Sequence, residues 1–262
     1  MLQTVPGILS RIAEHKRAEL GGRVWNRAEL EREAERLAGE RRGFRAALTG
    51  RTPAIIAESK KASPSKGLLH ADYDAAAIAE RYAEGGAAAM SVLTDEKFFQ
   101  GSLDDLRAAR RNTHVPVLRK DFTIDELHVV EAAAAGADAI LLIAAILTTE
   151  EMRRFRELAA SFGVDSLVEV HDGEELTRAL DSGAEILGVN NRDLHTFEVK
   201  LETSLALAAR IPANVVRVSE SGIHSAGDVR LLMGAGYQAF LVGEHLMKAD
   251  DPVAALRALT CS

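Results

Sequence analysis

The 262-residue sequence predicts an α/β fold: a single closed (β/α)8, or TIM, barrel domain over residues 1–262, with residues 1–48 forming an N-terminal helical extension. Three observations predict it. Eight short apolar runs recur from residue 54 onward, amphipathic helical stretches separate them, and several of those stretches close on glycine. Nearly continuous apolar strands alternating with helices imply a parallel sheet buried on both faces. A doubly wound open sheet is the alternative, but it would normally carry Gly-x-Gly-x-x-Gly after its first strand, and none follows Ile55-Ile56.

Residues 1–48 are rich in Arg, Glu, Ala and Leu, with apolar groups at helical spacing around Ile8, Leu9 and Ile12 and again around Leu30, Ala34 and Leu37. Two helices divided near Gly21-Gly22 fit this pattern, with Trp25 as a packing residue and the pair placed to cover an open end of the barrel. The strand runs follow at 54–57, 88–93, 115–118, 139–143, 166–170, 186–189, 215–218 and 239–242. Helical stretches lie between them at 74–84, 102–111, 124–135, 148–162, 173–181, 202–210 and 226–233, and a last one follows Pro252. Gly85-Gly86, Gly136-Ala137, Gly183-Ala184 and Gly236 mark left-handed helix ends before the next strand.

Bulk composition excludes several classes of function. Apolar residues make up 47% and charged residues 27%, ordinary for a globular protein with a sizeable core. A net charge of -7 and the lack of a long basic run argue against nucleic-acid binding, which needs a basic surface to displace counterions. Cys261 is the only cysteine, which leaves no disulfide framework, thiol metal site or cysteine nucleophile and fits a reducing compartment. No apolar stretch approaches the roughly 18 residues of a membrane span, and the N-terminus shows no signal-like segment, so the expected address is the cytoplasm. The eight histidines are scattered, and His171 and His195 read as exposed rim residues. No metal and no cofactor are expected.

In a barrel of this type the reacting groups stand at the C-terminal ends of the strands. Glu58, Lys60 and Ser63 follow the first run, where Pro64 and Gly67 forbid a helix from absorbing the charges; strand alternation puts Glu58 and Lys60 on one face. The third run leads into Arg119, Lys120, Asp121 and Phe122, and the fourth ends in an apolar wall, Ile143-Ala144-Ala145-Ile146. Glu169, between Val168 and Val170, belongs deep in the mouth and needs a cation, for which Lys60 and Lys120 are the candidates; a purely structural ion pair is the alternative. The sixth run gives Asn190 and Arg192, the seventh Glu220, Ser221 and Gly222, and the eighth Gly243 and Glu244. Small residues at the last two ends let backbone N–H groups approach a phosphate, although tight turns alone would also place them there. The constellation implies metal-free acid-base chemistry on a small phosphorylated molecule, with a Schiff base on Lys120 as the rival within the enzyme class. Neither nucleic acid nor membrane is an expected partner, and a monomer is compatible with the chain.

The segments at 58–67, 93–102, 117–122, 167–170, 188–194 and 219–223 together resemble the indole-3-glycerol-phosphate synthase family over residues 53–248, in the right order. The N-terminal helices resemble that family's extra segment before the first strand. The resemblance implies a lyase of tryptophan biosynthesis that closes the indole ring of 1-(2-carboxyphenylamino)-1-deoxyribulose 5-phosphate with loss of carbon dioxide and water. It implies Lys120 as the general acid on the ketone and Glu58, Lys60 and Glu169 as carriers of the later protons. Glu169 or Lys60 would assist departure of hydroxide, and Glu58 would receive a proton. It further implies Asn190, Arg192, Glu220 and Ser221 as substrate-orienting residues and Phe122 against the aromatic ring. Glu244 departs from the family pattern, in which a serine often follows the glycine; its side chain is expected to turn away from the phosphate and leave the contact to its N–H. A non-catalytic phosphosugar-binding barrel, a phosphoribosylanthranilate isomerase and a Schiff-base thiazole synthase are the competing readings.

Overall fold

The computed structural model describes residues 7–64, 67–70 and 72–260; Ser65, Lys66 and Cys261 lie outside the described residues. Eight parallel strands close into a barrel: β1 (Ala54–Ser59), β2 (Ala89–Leu93), β3 (Val117–Lys120), β4 (Ala139–Ile143), β5 (Asp165–Val170), β6 (Ile186–Asn190), β7 (Val216–Glu220) and β8 (Ala239–Val242). Each pairs with its sequence neighbour, and β1 closes the ring by pairing Ala54 with Ala239 on one side and Ile56 with Ala89 on the other. All eight apolar runs are strands, as expected, but their ends differ in an instructive way. Runs expected to stop at residues 57, 118, 189 and 218 continue to Ser59, Lys120, Asn190 and Glu220. The hydrogen-bonded ladder outlasts the apolar pattern because the inward side chains at the top of the barrel are the polar ones. Alternation then puts Ile56 with Glu58, Leu118 with Lys120, Leu167 with Glu169 and Val218 with Glu220 on shared faces.

The extension holds three helices where two were expected: α1 (Gly7–Gly22), α2 (Arg27–Ala38) and α3 (Phe44–Thr49). They cover both ends of the barrel. The third is short and follows Gly43, and it seals the lower end with the fully buried Phe44 and Leu48. The Arg42 and Arg45 N–H groups fix it there by donating to Asp138 Oδ1 and Asp165 Oδ2 at the starts of β4 and β5, 2.9 Å in each case. The first helix instead lies at the upper mouth, with Leu9 and Ile12 buried. Trp25, half-buried, packs beneath the Arg23 guanidinium, 4.3 Å from its ring, and its Nε1–H donates to Leu20 O.

Helices α4 (Ala75–Glu84), α5 (Glu96–Phe99), α6 (Leu103–Arg111), α7 (Glu126–Ala134), α8 (Thr149–Ser161), α9 (Gly173–Asp181), α10 (Glu202–Ala208), α11 (Ala226–Gly234), α12 (Glu244–Met247) and α13 (Pro252–Thr260) complete the fold. Side chains of Asp74, Ser102, Asp125, Thr148, Asp172 and Ser225 cap α4, α6, α7, α8, α9 and α11 by accepting from first-turn N–H groups. Gly136 and Gly183 take φ of 90° and 84° where those residues were expected to end helices in the left-handed region.

One buried network ties α1 to the strand that carries Lys120. Alternation along β3 sends Arg119 outward while Lys120 points into the barrel. Arg119 pairs with Asp121 at 3.1 Å and with Glu131 of α7 at 2.9 Å, and Asp121 also accepts from Thr94 Oγ1 at 2.6 Å. Lys16 of α1 inserts its ammonium between Asp95 and Asp121, 3.0 Å from each, and all three side chains are nearly inaccessible to water. Buried carboxylates without a cation are expensive, so this lysine fixes where α1 can lie. Replacing it should strand Asp95 and leave Asp121 with Arg119 alone as its cation. Lys16→Met is expected to lower the unfolding free energy by about 3 kcal/mol in urea denaturation; a loss below about 0.5 kcal/mol, the level of an ordinary surface change, would mean that the network does not hold the helix.

Candidate active site

Five charged side chains meet at the upper mouth of the barrel. Glu58 and Lys60 leave β1 on the same face and pair at 2.6 Å. Lys120, at the end of β3, lies 2.8 Å from Glu169 Oε2 of β5 and 3.4 Å from Glu220 Oε2 of β7. Of the two lysines expected to serve Glu169, the structure selects Lys120 and gives Lys60 to Glu58. Glu58, Glu169 and Glu220 are all at most 5% exposed, so water does little to screen them.

Two ammonium groups facing three carboxylates set the proton affinities. Burial opposes charge on Lys120, but Glu169, Glu220 and Glu58 outweigh it and raise the ammonium above the ordinary lysine range. Burial likewise pushes Glu169 up, yet Lys120 and His171 overcome it and hold the carboxyl below its usual range. Glu220 goes the other way. Burial raises it, Lys120 opposes, and the charges of Glu169 and Glu58 add to the rise, so Glu220 is the carboxyl of the cluster that most readily keeps its proton. Its Oε1 is buried without a hydrogen-bond partner among the described residues.

This cluster is the floor shared by two compartments. The first is mostly apolar, walled by Ile8, Leu9 and Ile12 of α1, by Leu141 and Ile143 of β4, and by Phe99 and Phe122, whose rings lie 6.1 Å apart; Ser63 and Pro64 form part of its rim. The second is polar, formed by Ser221, Gly222, Gly243 and the backbone beyond them. Glu58, Lys60, Lys120, Asn190 and Arg192 border both. Ser221 and Gly222 take φ of 68° and 78°, a turn that is strained for serine and that Gly222 relieves at its own position. Ser221 Oγ donates to Asn190 Oδ1 at 2.9 Å and Asn190 Nδ2 donates to Glu169 Oε1 at 3.2 Å, so the polar compartment is wired to the charged floor.

Close approach of backbone to carboxylate explains two glycines. A Cβ at Gly188 would stand 2.1 Å from Glu220 Oε1, and one at Gly243 would stand 2.4 Å from Glu58 Oε1 and 3.1 Å from Lys60 Nζ. Any side chain at either place displaces a member of the cluster. Gly243 was singled out in the sequence for phosphate approach; making room for Glu58 is a second reason for it.

Every catalytic or substrate-orienting residue expected from the sequence lies at this mouth, while Arg119, named beside Lys120, points outward; two residues differ in orientation. Glu244 does not leave the site: it borders both compartments, with Oε1 2.6 Å from Lys248 Nζ and Oε2 3.8 Å from Arg192, so nearby cations answer its charge. His171 is not an exposed rim residue but is largely buried, 3.3 Å from Glu169 and 3.0 Å from Glu175, because its backbone continues the inward-facing end of β5; His195 is exposed. The α1 wall and Phe99 were not singled out as site residues. Helical spacing identifies the first only as an apolar face, and nothing in it says which end of the barrel that face covers. Asn191 was not singled out either: buried, it donates to Ser219 Oγ and Ser221 O at 3.0 Å and locks the turn after β7.

The family model described as indole-3-glycerol phosphate synthase matches residues 9–259. The chain belongs to that family. A relative from Koribacter versatilis, named indole-3-glycerol phosphate synthase, is 51% identical over 256 residues, covering 96% of this chain and 98% of its own. Another of the same name from Pelodictyon phaeoclathratiforme is 51% identical over 246 residues, covering 93% and 96%. Among solved structures, a thiamine phosphate pyrophosphorylase from Pyrococcus furiosus superposes with a TM-score of 0.59 at 19% identity, covering 79% of this chain and 93% of its own. KGPDC from Streptococcus mutans gives 0.60 at 14%, covering 80% and 96%. These two show the barrel fold alone. Family membership makes the protein an indole-3-glycerol phosphate synthase-type carboxy-lyase of tryptophan biosynthesis that acts on a small phosphorylated substrate.

The upward shift of Glu220 has a consequence for stability. The folded protein binds this proton and the unfolded chain does not in the window between the ordinary carboxyl range and neutral pH, so the contribution of Glu220 to stability falls as pH rises through that window. Glu220→Gln should therefore be more stable than the parent at pH 8 in urea denaturation, with the difference shrinking toward pH 4.5. A difference independent of pH would contradict a raised Glu220.

Proposed function

We propose that the mouth cluster converts 1-(2-carboxyphenylamino)-1-deoxyribulose 5-phosphate to indole-3-glycerol phosphate, with the carboxyphenyl group in the apolar compartment and the phosphate in the polar one. The observation that carries this placement is the order of the surfaces: apolar wall, charged floor, phosphate-sized turn. The substrate presents its groups in the same order, aromatic ring, ketone, phosphate. Lys60, Lys120 and Arg192 lie between, where the ring carboxylate and the ketone oxygen would fall. Ser221, Gly222 and Gly243 offer backbone N–H groups to the phosphate, and Arg192 its charge.

In the first step the ring carbon that bears the carboxylate attacks the ketone carbon. Lys120 gives its proton to the developing alkoxide, a charge that forms beside a preorganised ammonium. Carbon dioxide then departs, leaving its electron pair to restore the aromatic ring. In the second step the new hydroxyl leaves as water after taking a proton, and the adjacent carbon loses one to a carboxylate. Glu169, held ionised by Lys120 and His171, has no proton to supply and takes the acceptor role that the resemblance gave to Glu58, its basicity rising once Lys120 has passed its proton to substrate. That leaves the Lys60 ammonium, bound to Glu58, as the donor for departing hydroxide. The same electrostatics disfavour a Schiff base, since a nucleophilic lysine must be neutral and Lys120 is held as an ammonium. We take residues 1–262 to act as one domain, as a monomer, in the cytoplasm.

The test is the fluorescence of the indole product, formed from the carboxyphenylamino substrate with no metal or cofactor added. Lys120→Ala should lower kcat about a thousandfold with KM changed less than about tenfold, as when an interaction made mainly in the transition state is removed. Ser221→Ala should raise KM and spare kcat. Near-parental turnover in Lys120→Ala, or borohydride trapping of substrate on Lys120, would remove the acid role; a pure kcat defect in Ser221→Ala would remove phosphate anchoring there.

A further inference from the structure

We propose that His171 is a positioning residue for Glu169: clamped by Glu175, its imidazolium is the second cation on that carboxylate and keeps it ionised and oriented while Lys120 is engaged by substrate. The inference rests on the reading of Glu169 as a proton acceptor given above.

The clamp is local in sequence. Glu175, in the first turn of α9, directs Oε2 back to accept both the His171 backbone N–H, at 2.8 Å, and the ring Nδ1–H, at 3.0 Å. Asp172 caps the same helix and accepts the Glu175 N–H at 2.9 Å, so the carboxylate that holds the ring is itself held. With Nδ1 fixed, Nε2 lies 3.3 Å from Glu169 Oε1 and has no hydrogen-bond partner among the described residues. Both ring nitrogens therefore face carboxylates, an arrangement that only the doubly protonated ring satisfies. Burial works against the charge, but the carboxylates of Glu169 and Glu175 on either side of the ring push the imidazole up to about 10.

The need for a second cation follows from the mechanism. At rest Glu169 has Lys120 from β3 at 2.8 Å and a hydrogen bond from Asn190 of β6, with Glu220 of β7 sharing Lys120 and the Glu58–Lys60 pair of β1 across the mouth. Substrate brings a carboxylate and a phosphate and draws the Lys120 proton toward the ketone. Each change pushes Glu169 toward protonation at the stage where it must accept a proton. His171 borders neither compartment, so it stays on Glu169 throughout and acts through it, not on substrate. Of the other charged groups on α9, Glu174 stands beside Glu175 in the first turn and Arg178, further along, is occupied by Leu147 O at 2.8 Å.

The experiment is the pH profile of kcat from the lowest pH at which each variant stays folded up to pH 9, on the full chain with the carboxyphenylamino substrate, for His171→Asn, Glu175→Gln and Glu169→Gln beside the parent. His171→Asn should lower kcat about tenfold or more, leave KM within about threefold, and move the acid limb up by about one unit, the shift expected when a cation leaves a carboxylate. Glu175→Gln should move the limb the same way by less, and it carries the test if His171→Asn does not fold. An acid limb that stays in place in the folded variants, whatever happens to kcat, overturns the proposal. If Glu169→Gln turns over at near-parental rate, the underlying reading of Glu169 fails; if it is inactive while the His171 and Glu175 variants keep the parental profile, only the present inference fails.

Discussion

Two ammonium groups answer three carboxylates that are almost wholly buried, and the rest of the site follows from that imbalance. Each lysine is committed, Lys60 to Glu58 at 2.6 Å and Lys120 to Glu169 at 2.8 Å, which leaves Glu220 with a shared and longer contact at 3.4 Å. The carboxyl with the weakest claim on a cation is the one that keeps its proton more readily. A cluster of this kind does not stabilise the fold, since buried ion pairs repay their desolvation poorly compared with apolar side chains. A surrounding shell holds it in place: Gly188 and Gly243 leave Glu220 and Glu58 space that a Cβ would fill, and Asn190 and His171 flank Glu169.

The barrel supplies the frame in which such a cluster can be held. Strand alternation puts Glu58, Lys120, Glu169 and Glu220 on the inner face from four separate strands. Their neighbours in sequence point outward and do different work. Arg119 and Asp121, on either side of Lys120, enter a second charged network that receives Lys16 from α1. The residue that carries the chemistry and the helix that walls the apolar compartment are thus fastened through adjacent positions of one strand. Docking of the extension and placement of Lys120 are parts of a single arrangement.

Much of this was legible in the sequence because it is written in local patterns. Eight apolar runs with helical stretches between them specify the barrel, and polar residues just past each run specify the mouth. The strand ends were misjudged for the same reason that the site was found: at Glu58, Lys120, Asn190 and Glu220 apolar character stops while the ladder continues. The Glu58–Lys60 pair follows from spacing within one strand, whereas the choice of Lys120 for Glu169 is set by how β3 and β5 face each other across the barrel. Other features depend on distant segments meeting and have no local signature. Examples are the α1 wall at the upper mouth, α3 as a third helix plugging the lower end, and the inward turn of His171.

These parts meet in one arrangement, a single molecule that spans both compartments with its ketone over Lys120. The most direct measurement is a crystal structure with the substrate analogue in which the ketone is reduced to an alcohol, which binds but cannot close the ring. The carboxyphenyl ring should lie between α1 and Phe122, the phosphate at Ser221, Gly222 and Gly243, and the alcohol oxygen within about 3.2 Å of Lys120 Nζ, the reach of a hydrogen bond. An analogue bound in the reverse direction, or with that oxygen out of reach of Lys120, would contradict it.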